Sequence, residues 1–270
     1  MSLSQVLSAA RVIRPTRRRG FCPACRGWDA GTADHPRRAE GEVSPPALTA
    51  LAFLALAAVA WAGTIWQSRG AAEMEMGLGS LESFAISWAV MMVAMMLPSA
   101  LPLVYEFARR SEGRRRWQVA TGVLAATYQS IWLWFGLACY VVLRAFPVPP
   151  ADQRAVGGLA LALAGLYGLT PIKATSEARC RELCSLHGPL PFSLVRSALV
   201  AGARYGLSCL GCSAGLMVAL AIIGMSNLGW LMILAGVVLV YKLAPAPSMR
   251  RMWLLSGALI AMAVVYASMA

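Results

Sequence analysis

Residues 208–217 read Ser208-Cys209-Leu210-Gly211-Cys212-Ser213-Ala214-Gly215-Leu216-Met217, a Cys-x-x-Cys pair inside an apolar run that extends over about 192–224. A run of that length can cross a bilayer as a helix. On a helix, positions three apart share a face, which turns the sulfurs of Cys209 and Cys212 the same way. Two converging sulfurs can hold a soft metal ion or form a redox couple. They can also be small side chains that let helices pack closely.

The rest of the chain repeats the apolar theme. Of 270 residues, 59% are hydrophobic, and several further runs approach the roughly 20 residues that a spanning helix needs. The expected fold is therefore all-α: a polytopic transmembrane helical bundle of about seven spans. These fall near 47–66, 84–107, 117–143, 155–169, 192–224, 228–243 and 252–269, so that 47–270 forms the transmembrane domain. Residues 1–46 form a basic cytoplasmic tail with Cys22, Cys25 and His35. That is three ligands where a closed zinc site needs four. The length of the tail also argues against a cleaved signal sequence in the first apolar run.

A net charge of +12 suggests nucleic acid in a soluble domain, but in a chain this apolar it is topogenic, because Lys and Arg collect on the cytoplasmic side. With the N-terminus inside, 21 of the 24 Lys and Arg are cytoplasmic and only Arg69, Arg144 and Arg154 are external. The expected location is the bacterial inner membrane, multi-pass, with the lipid bilayer and not nucleic acid as partner. Most of the seven cysteines then face a reducing compartment, which argues against a disulfide framework. Only two histidines are present, His35 and His187, neither in an apolar run. A bis-histidine haem within the membrane is excluded.

The apolar cores hold no Asp, Glu, Lys, Arg or His, since Glu82, Glu106, Lys173 and Lys242 sit at helix ends. Proton relays and hard-cation pathways generally need such groups at mid-membrane. What remains is sulfur, with tyrosine, asparagine and backbone carbonyls. The second span carries Met91, Met92, Met95 and Met96 beside Trp88. Pro98 and Pro102 follow, each removing a backbone hydrogen bond. Methionine is an adaptable packing residue and a Met stripe is commonly only packing. Four within six residues beside two prolines are less usual.

After the fourth span, Thr170 and Pro171 start a further helix. It places Cys180, Cys184 and His187 at i, i+4 and i+7, beside Lys173, Arg179 and Arg181, cations that favour the thiolate. Gly188-Pro189 stops it. Sulfur ligands select Cu(I), zinc or iron–sulfur clusters. In an apolar, reducing setting, Cu(I) suits thiolate plus thioether best, and zinc would recruit histidine or a second Cys pair.

Three blocks of the chain resemble a bacterial membrane family described as predicted metal-binding integral membrane proteins, of unknown function. The first is Trp88-x-x-Met91-x-x-Ala94-Met95-Met96-x-Pro98. The second is Gly165-Leu166-Tyr167-x-Leu169-Thr170-Pro171-x-Lys173. The third starts at Cys209-Leu210-Gly211-Cys212 and continues through Leu216-Met217 to Gly224-Met225-x-Asn227 and Trp230-x-Met232. The resemblance implies a polytopic metal-binding protein that handles copper, and it implies no reaction. The chain departs from the pattern in three places. Cys180-x-x-x-Cys184 stands where a Cys-x-x-Cys is expected, Ser213 where a second Cys is usual, and Tyr241 where an acidic residue precedes Lys242.

The leading expectation is a non-enzymatic membrane protein that binds a soft metal ion, Cu(I) before zinc, for trafficking or delivery to a membrane metalloenzyme, with a metallochaperone as the other class of partner. Cys209 and Cys212 would be thiolate ligands. Met91, Met95 or Met96, with Met217, would be thioether ligands, and Cys180, Cys184 and His187 an inner acceptor site. The rival expectations are a membrane thiol-disulfide oxidoreductase using Cys209 and Cys212 with a quinone, and a structural membrane subunit in which Cys and Met only pack.

Overall fold

The computed structural model describes residues 45–71, 79–149, 151–184, 193–223, 228–243 and 249–268. Among these residues every regular element is helical. The helices are α1 (Pro45–Ala71), α2 (Leu81–Ser111), α3 (Trp117–Ala145), α4 (Gln153–Tyr167), α5 (Pro171–Cys184), α6 (Leu194–Ile223), α7 (Leu228–Leu243) and α8 (Met249–Ser268). Seven of them match the seven apolar runs, and α5 is the extra helix started by Pro171. The tail with Cys22, Cys25 and His35 lies outside the described residues, as do His187 and Gly188-Pro189.

Four helices, α1, α2, α3 and α6, are long and apolar enough to cross a membrane. The pair α4 and α5, bent by 70°, makes a fifth if counted as one span. Alone, the 15 residues of α4 reach only about 22 Å at 1.5 Å per residue. Helices α7 and α8 contain the shorter apolar stretches Leu228–Leu239 and Met252–Ser268. Four to five candidate spans are thus present where seven were expected, a count consistent with a membrane protein. Large apolar side chains such as Leu51 and Val59 of α1, Trp134 and Val141 of α3, and Leu254 of α8 lie exposed on the outside. Such a surface fits lipid better than water.

Local signals set the helix ends. Ser80 caps α2 by accepting from the Ser83 backbone N–H at 3.2 Å, and Thr170 caps α5 by accepting from the Lys173 N–H at 3.4 Å. Each satisfies a backbone donor that the first turn leaves unpaired. Between α2 and α3 the chain reverses through Gly113 and Arg116, both at positive φ. At the end of α2 the Glu106 carboxylate is held by Arg109 at 2.8 Å and Arg110 at 2.6 Å, so the acidic group is neutralised where the helix leaves its apolar stretch.

The order of packing positions the interior. α1 lies on α2, α2 on α3 and α3 on α6; α6 also carries α4 and α5, and α8 covers α4. Helix α3 therefore stands between the methionines of α2 and the cysteines of α6. Close approach of α3 and α6 depends on the small residues Gly202 and Gly206, the usual means of bringing membrane helices together. A Cβ on Gly202 would lie 2.6 Å from the Leu124 carbonyl oxygen, a backbone atom that cannot turn aside. On the other face of α3, the fully buried Trp88 donates its indole N–H to the Trp132 carbonyl at 2.8 Å. Gly136 leaves the space into which that indole fits.

Candidate metal centre

The four methionines of α2 all point inward: Met91, Met92 and Met96 are at most 1% exposed and Met95 6%. Met217 of α6 is fully buried, as is Cys209, and all six belong to one apolar core. Helix α2 runs unbroken through Pro98 and Pro102. Two tyrosine hydroxyls from neighbouring helices reach its backbone at the first proline. Tyr128 of α3 donates to the Met96 carbonyl at 3.3 Å, and Tyr205 of α6 to the Ser99 carbonyl at 2.8 Å. Ser99 itself donates back to Met96 O at 2.7 Å. Extra acceptor capacity near a helix proline is thus met by hydroxyls from the protein, as an apolar interior requires.

The Tyr128 hydroxyl also lies 3.2 Å from Cys209 Sγ. It therefore joins the methionine stretch of α2 to the cysteine turn of α6 through one atom. Cys212 has different surroundings. It is half-buried, its thiol donates to the Cys209 carbonyl at 3.2 Å, and its sulfur is 3.4 Å from Ser213 Oγ. Cys209 thus faces α3. Cys212 lies toward the elbow of α4 and α5, near Tyr167 and Lys173.

That elbow is built on the cysteine turn. Tyr167, at the end of α4, donates its hydroxyl to the Gly211 carbonyl. Helix α5 then passes so close to Gly211 that a Cβ there would sit 2.5 Å from Ser176 Oγ. The buried face of α5 carries Lys173, Cys180 and Cys184, at 6%, 7% and 9% exposure. Lys173 Nζ is 3.8 Å from Glu177, which is bound more closely by Arg181 at 2.7 Å. The second block of the family resemblance therefore packs on residues 209–212, and the first reaches Cys209 through Tyr128.

The five described cysteines, Cys139, Cys180, Cys184, Cys209 and Cys212, are thiols and not disulfides. Among the described residues no three His, Cys, Asp or Glu side chains gather into a metal-holding group. Cys180 and Cys184 thus share the core with Cys209 without forming a ready four-sulfur cage with the Cys209–Cys212 pair. The buried methionines share this core with the cysteines. Tyr128 and Tyr205 were not expected from the sequence. A signal existed for the first: Thr127-Tyr128-Gln129-Ser130 is a polar run in the middle of a span, and polar groups at such depth are costly unless they have a task.

The fold and centre define a class: an all-helical protein with apolar spans arranged around a sulfur-rich interior. The family is more specific. The PpoB2 family model, described as a copper chaperone, matches residues 85–266, and the chain belongs to this family. No curated protein and no solved structure matches the chain.

Proposed function

We propose that this chain is an integral, multi-pass protein of the bacterial inner membrane that carries Cu(I) as cargo, taking it from a metallochaperone or passing it to a membrane metalloenzyme. The observation that carries the reading is the convergence of the Met96 carbonyl, Tyr128 and Cys209 in a buried core rich in thioethers, in a chain of a copper chaperone family. A soft ion in an apolar interior prefers thiolate and thioether sulfur to oxygen. Cys209 and Cys212 are the thiolates in this reading. Met91, Met95, Met96 and Met217 are the thioether candidates, and Cys180, Cys184 and His187 form an acceptor site on the cytoplasmic side. The shorter helices α4, α7 and α8 complete seven spans with the N-terminus inside, and α5 lies along the inner surface.

Metal content and thiol state of three purified proteins test this. Wild type is expected to hold Cu(I) in stoichiometric amount. The Cys209→Ser/Cys212→Ser protein should accumulate normally and hold none, because a neutral hydroxyl does not replace a thiolate for Cu(I). A Cys209–Cys212 disulfide that cycles with quinone state, and no metal, would instead establish the oxidoreductase. A Cys→Ala double variant with unchanged metal content would leave these residues with packing alone.

A further inference from the structure

The hydroxyl of Tyr128 has one proton, and among the groups it touches the Met96 carbonyl at 3.3 Å and Cys209 Sγ at 3.2 Å can each take it. With Cys209 as a thiol, the sulfur can donate to the phenolic oxygen while the phenol donates to the carbonyl. A metal-bound sulfur has no proton to give and can only accept. The contact then survives only if the phenol turns its proton to the sulfur. The Met96 carbonyl loses little by this, since Ser99 Oγ continues to donate to it at 2.7 Å.

The ring itself is held in place. It is fully buried and packs against Tyr205 with centroids 5.4 Å apart, and Tyr205 is tied to the Ser99 carbonyl at 2.8 Å. The phenolic oxygen therefore stays where it is while its proton changes partner. In contrast, Cys212 bonds to a carbonyl and a serine hydroxyl of its own helix. The two cysteines are unequal, with one sulfur locked into the core and the other at the elbow.

From this geometry we infer that Tyr128 is a positioning residue for the copper cargo, fixing the Cys209 sulfur and donating a hydrogen bond to it once the ion is bound. The inference rests on the reading of Cys209 as a ligand. On loading, the ion replaces the thiol proton, which leaves to the buffer, and the phenol proton moves from the carbonyl to the sulfur without leaving the oxygen. A hydrogen bond to a charged sulfur in an apolar setting is among the stronger kinds. It retains the ion and lowers the energy of the sulfur electrons.

Competition of the full-length, detergent-solubilised protein against a Cu(I) chelator tests it, with the ultraviolet sulfur-to-copper charge-transfer band as a second readout. Tyr128→Phe is expected to keep the stoichiometry, weaken binding about ten- to a hundredfold and displace the band. Tyr140→Phe, which removes a hydroxyl of the same helix that bonds the Gly79 carbonyl and takes no part in holding Tyr128 or Cys209, should match wild type. Wild-type affinity and band in Tyr128→Phe would overturn the inference, as would equal losses in both variants, which would mean packing alone. If Tyr128→Phe does not accumulate, difluorotyrosine at position 128, a stronger donor of nearly the same shape, should tighten binding, and an unchanged affinity overturns the inference. Cu(I) retained by Cys209→Ser would sink the ligand assignment itself and this inference with it, a result distinct from the others.

Discussion

Tyr167 and Gly211 are joined by a hydrogen bond from the phenol of α4 to a carbonyl in the middle of the Cys-x-x-Cys turn. It is the point at which the bent pair α4 and α5 is fastened to α6, and it lies next to the half-buried Cys212. Tyr167→Phe removes about 1 kcal/mol of net hydrogen bonding without changing the ring. The expected outcome is a small drop in melting temperature and faster alkylation of Cys212, read by peptide mass spectrometry. Cys209, enclosed against Tyr128, should stay unmodified in both proteins. Alkylation of Cys209 as fast as Cys212 would contradict the enclosed position.

The contact between α3 and α6 predicts an asymmetry between two glycines. Gly202→Val forces a side chain against the Leu124 carbonyl, where the gap for a Cβ is 2.6 Å, and should destabilise by roughly 1–3 kcal/mol as overpacking does. Because it pushes α3 from α6, it should also lower copper affinity through Tyr128. Gly122→Ala, in α3 with open space around it, should be neutral or stabilising by up to about 1 kcal/mol. Thermal unfolding of both variants checks the pair.

These two glycines mark the border of what the chain announces about itself. Helix positions were readable because apolar runs of spanning length admit few other structures. Helix α5 was readable from Thr170-Pro171 and the spacing of Cys180, Cys184 and His187, the last of which lies outside the described residues. That Lys173 shares the buried face with the two cysteines was not readable. Nor was the order of packing. Nothing in the composition of α3 says that it stands between α2 and α6, so the Met stretch and the Cys pair could be placed near each other only by supposing a shared ligand sphere. Tyr128 carries that relationship, and a phenol in an apolar span does not announce which helices it will join. Likewise, i,i+3 spacing turned Cys209 and Cys212 to one side of a helix, but two different neighbours, α3 and the α4–α5 elbow, share that side. Spacing does not reveal such a division.

Gln129, next to Tyr128, has both amide atoms enclosed with no hydrogen-bond partner among the described residues. A buried polar group in that state is destabilising. Gln129→Leu, close in size, should therefore raise thermal stability, by about 1–3 kcal/mol, and leave copper affinity unchanged. A loss of copper binding in this variant, with the fold intact, would show that the amide serves the cargo.

The turn between α2 and α3 carries Arg114, Arg115 and Arg116 and is expected on the cytoplasmic side. A single cysteine placed at Arg115, in a chain whose own cysteines are replaced, should resist a membrane-impermeant maleimide in intact spheroplasts and react once the membrane is opened. Reaction before opening would invert the topology and turn the Leu194 end of α6 to the oxidising side.

The methionines decide whether the buried core serves the cargo or only fills space. Met→Leu conserves volume and removes only the thioether, and such swaps in a core cost less than about 1.5 kcal/mol. If Met91, Met95, Met96 or Met217 binds the ion, its Leu variant should keep its melting temperature yet lose Cu(I) affinity, and those lying on the ion should lose most. Met92, equally buried but outside the proposed ligand set, is the control and should bind as wild type. Met96 is the most informative position, because its carbonyl already meets the hydroxyl that touches Cys209. Chelator competition on the five Leu variants reads this directly. Equal, wild-type affinity in all five would reduce the methionines to packing and leave Cys209 and Cys212 to hold the ion without thioether help.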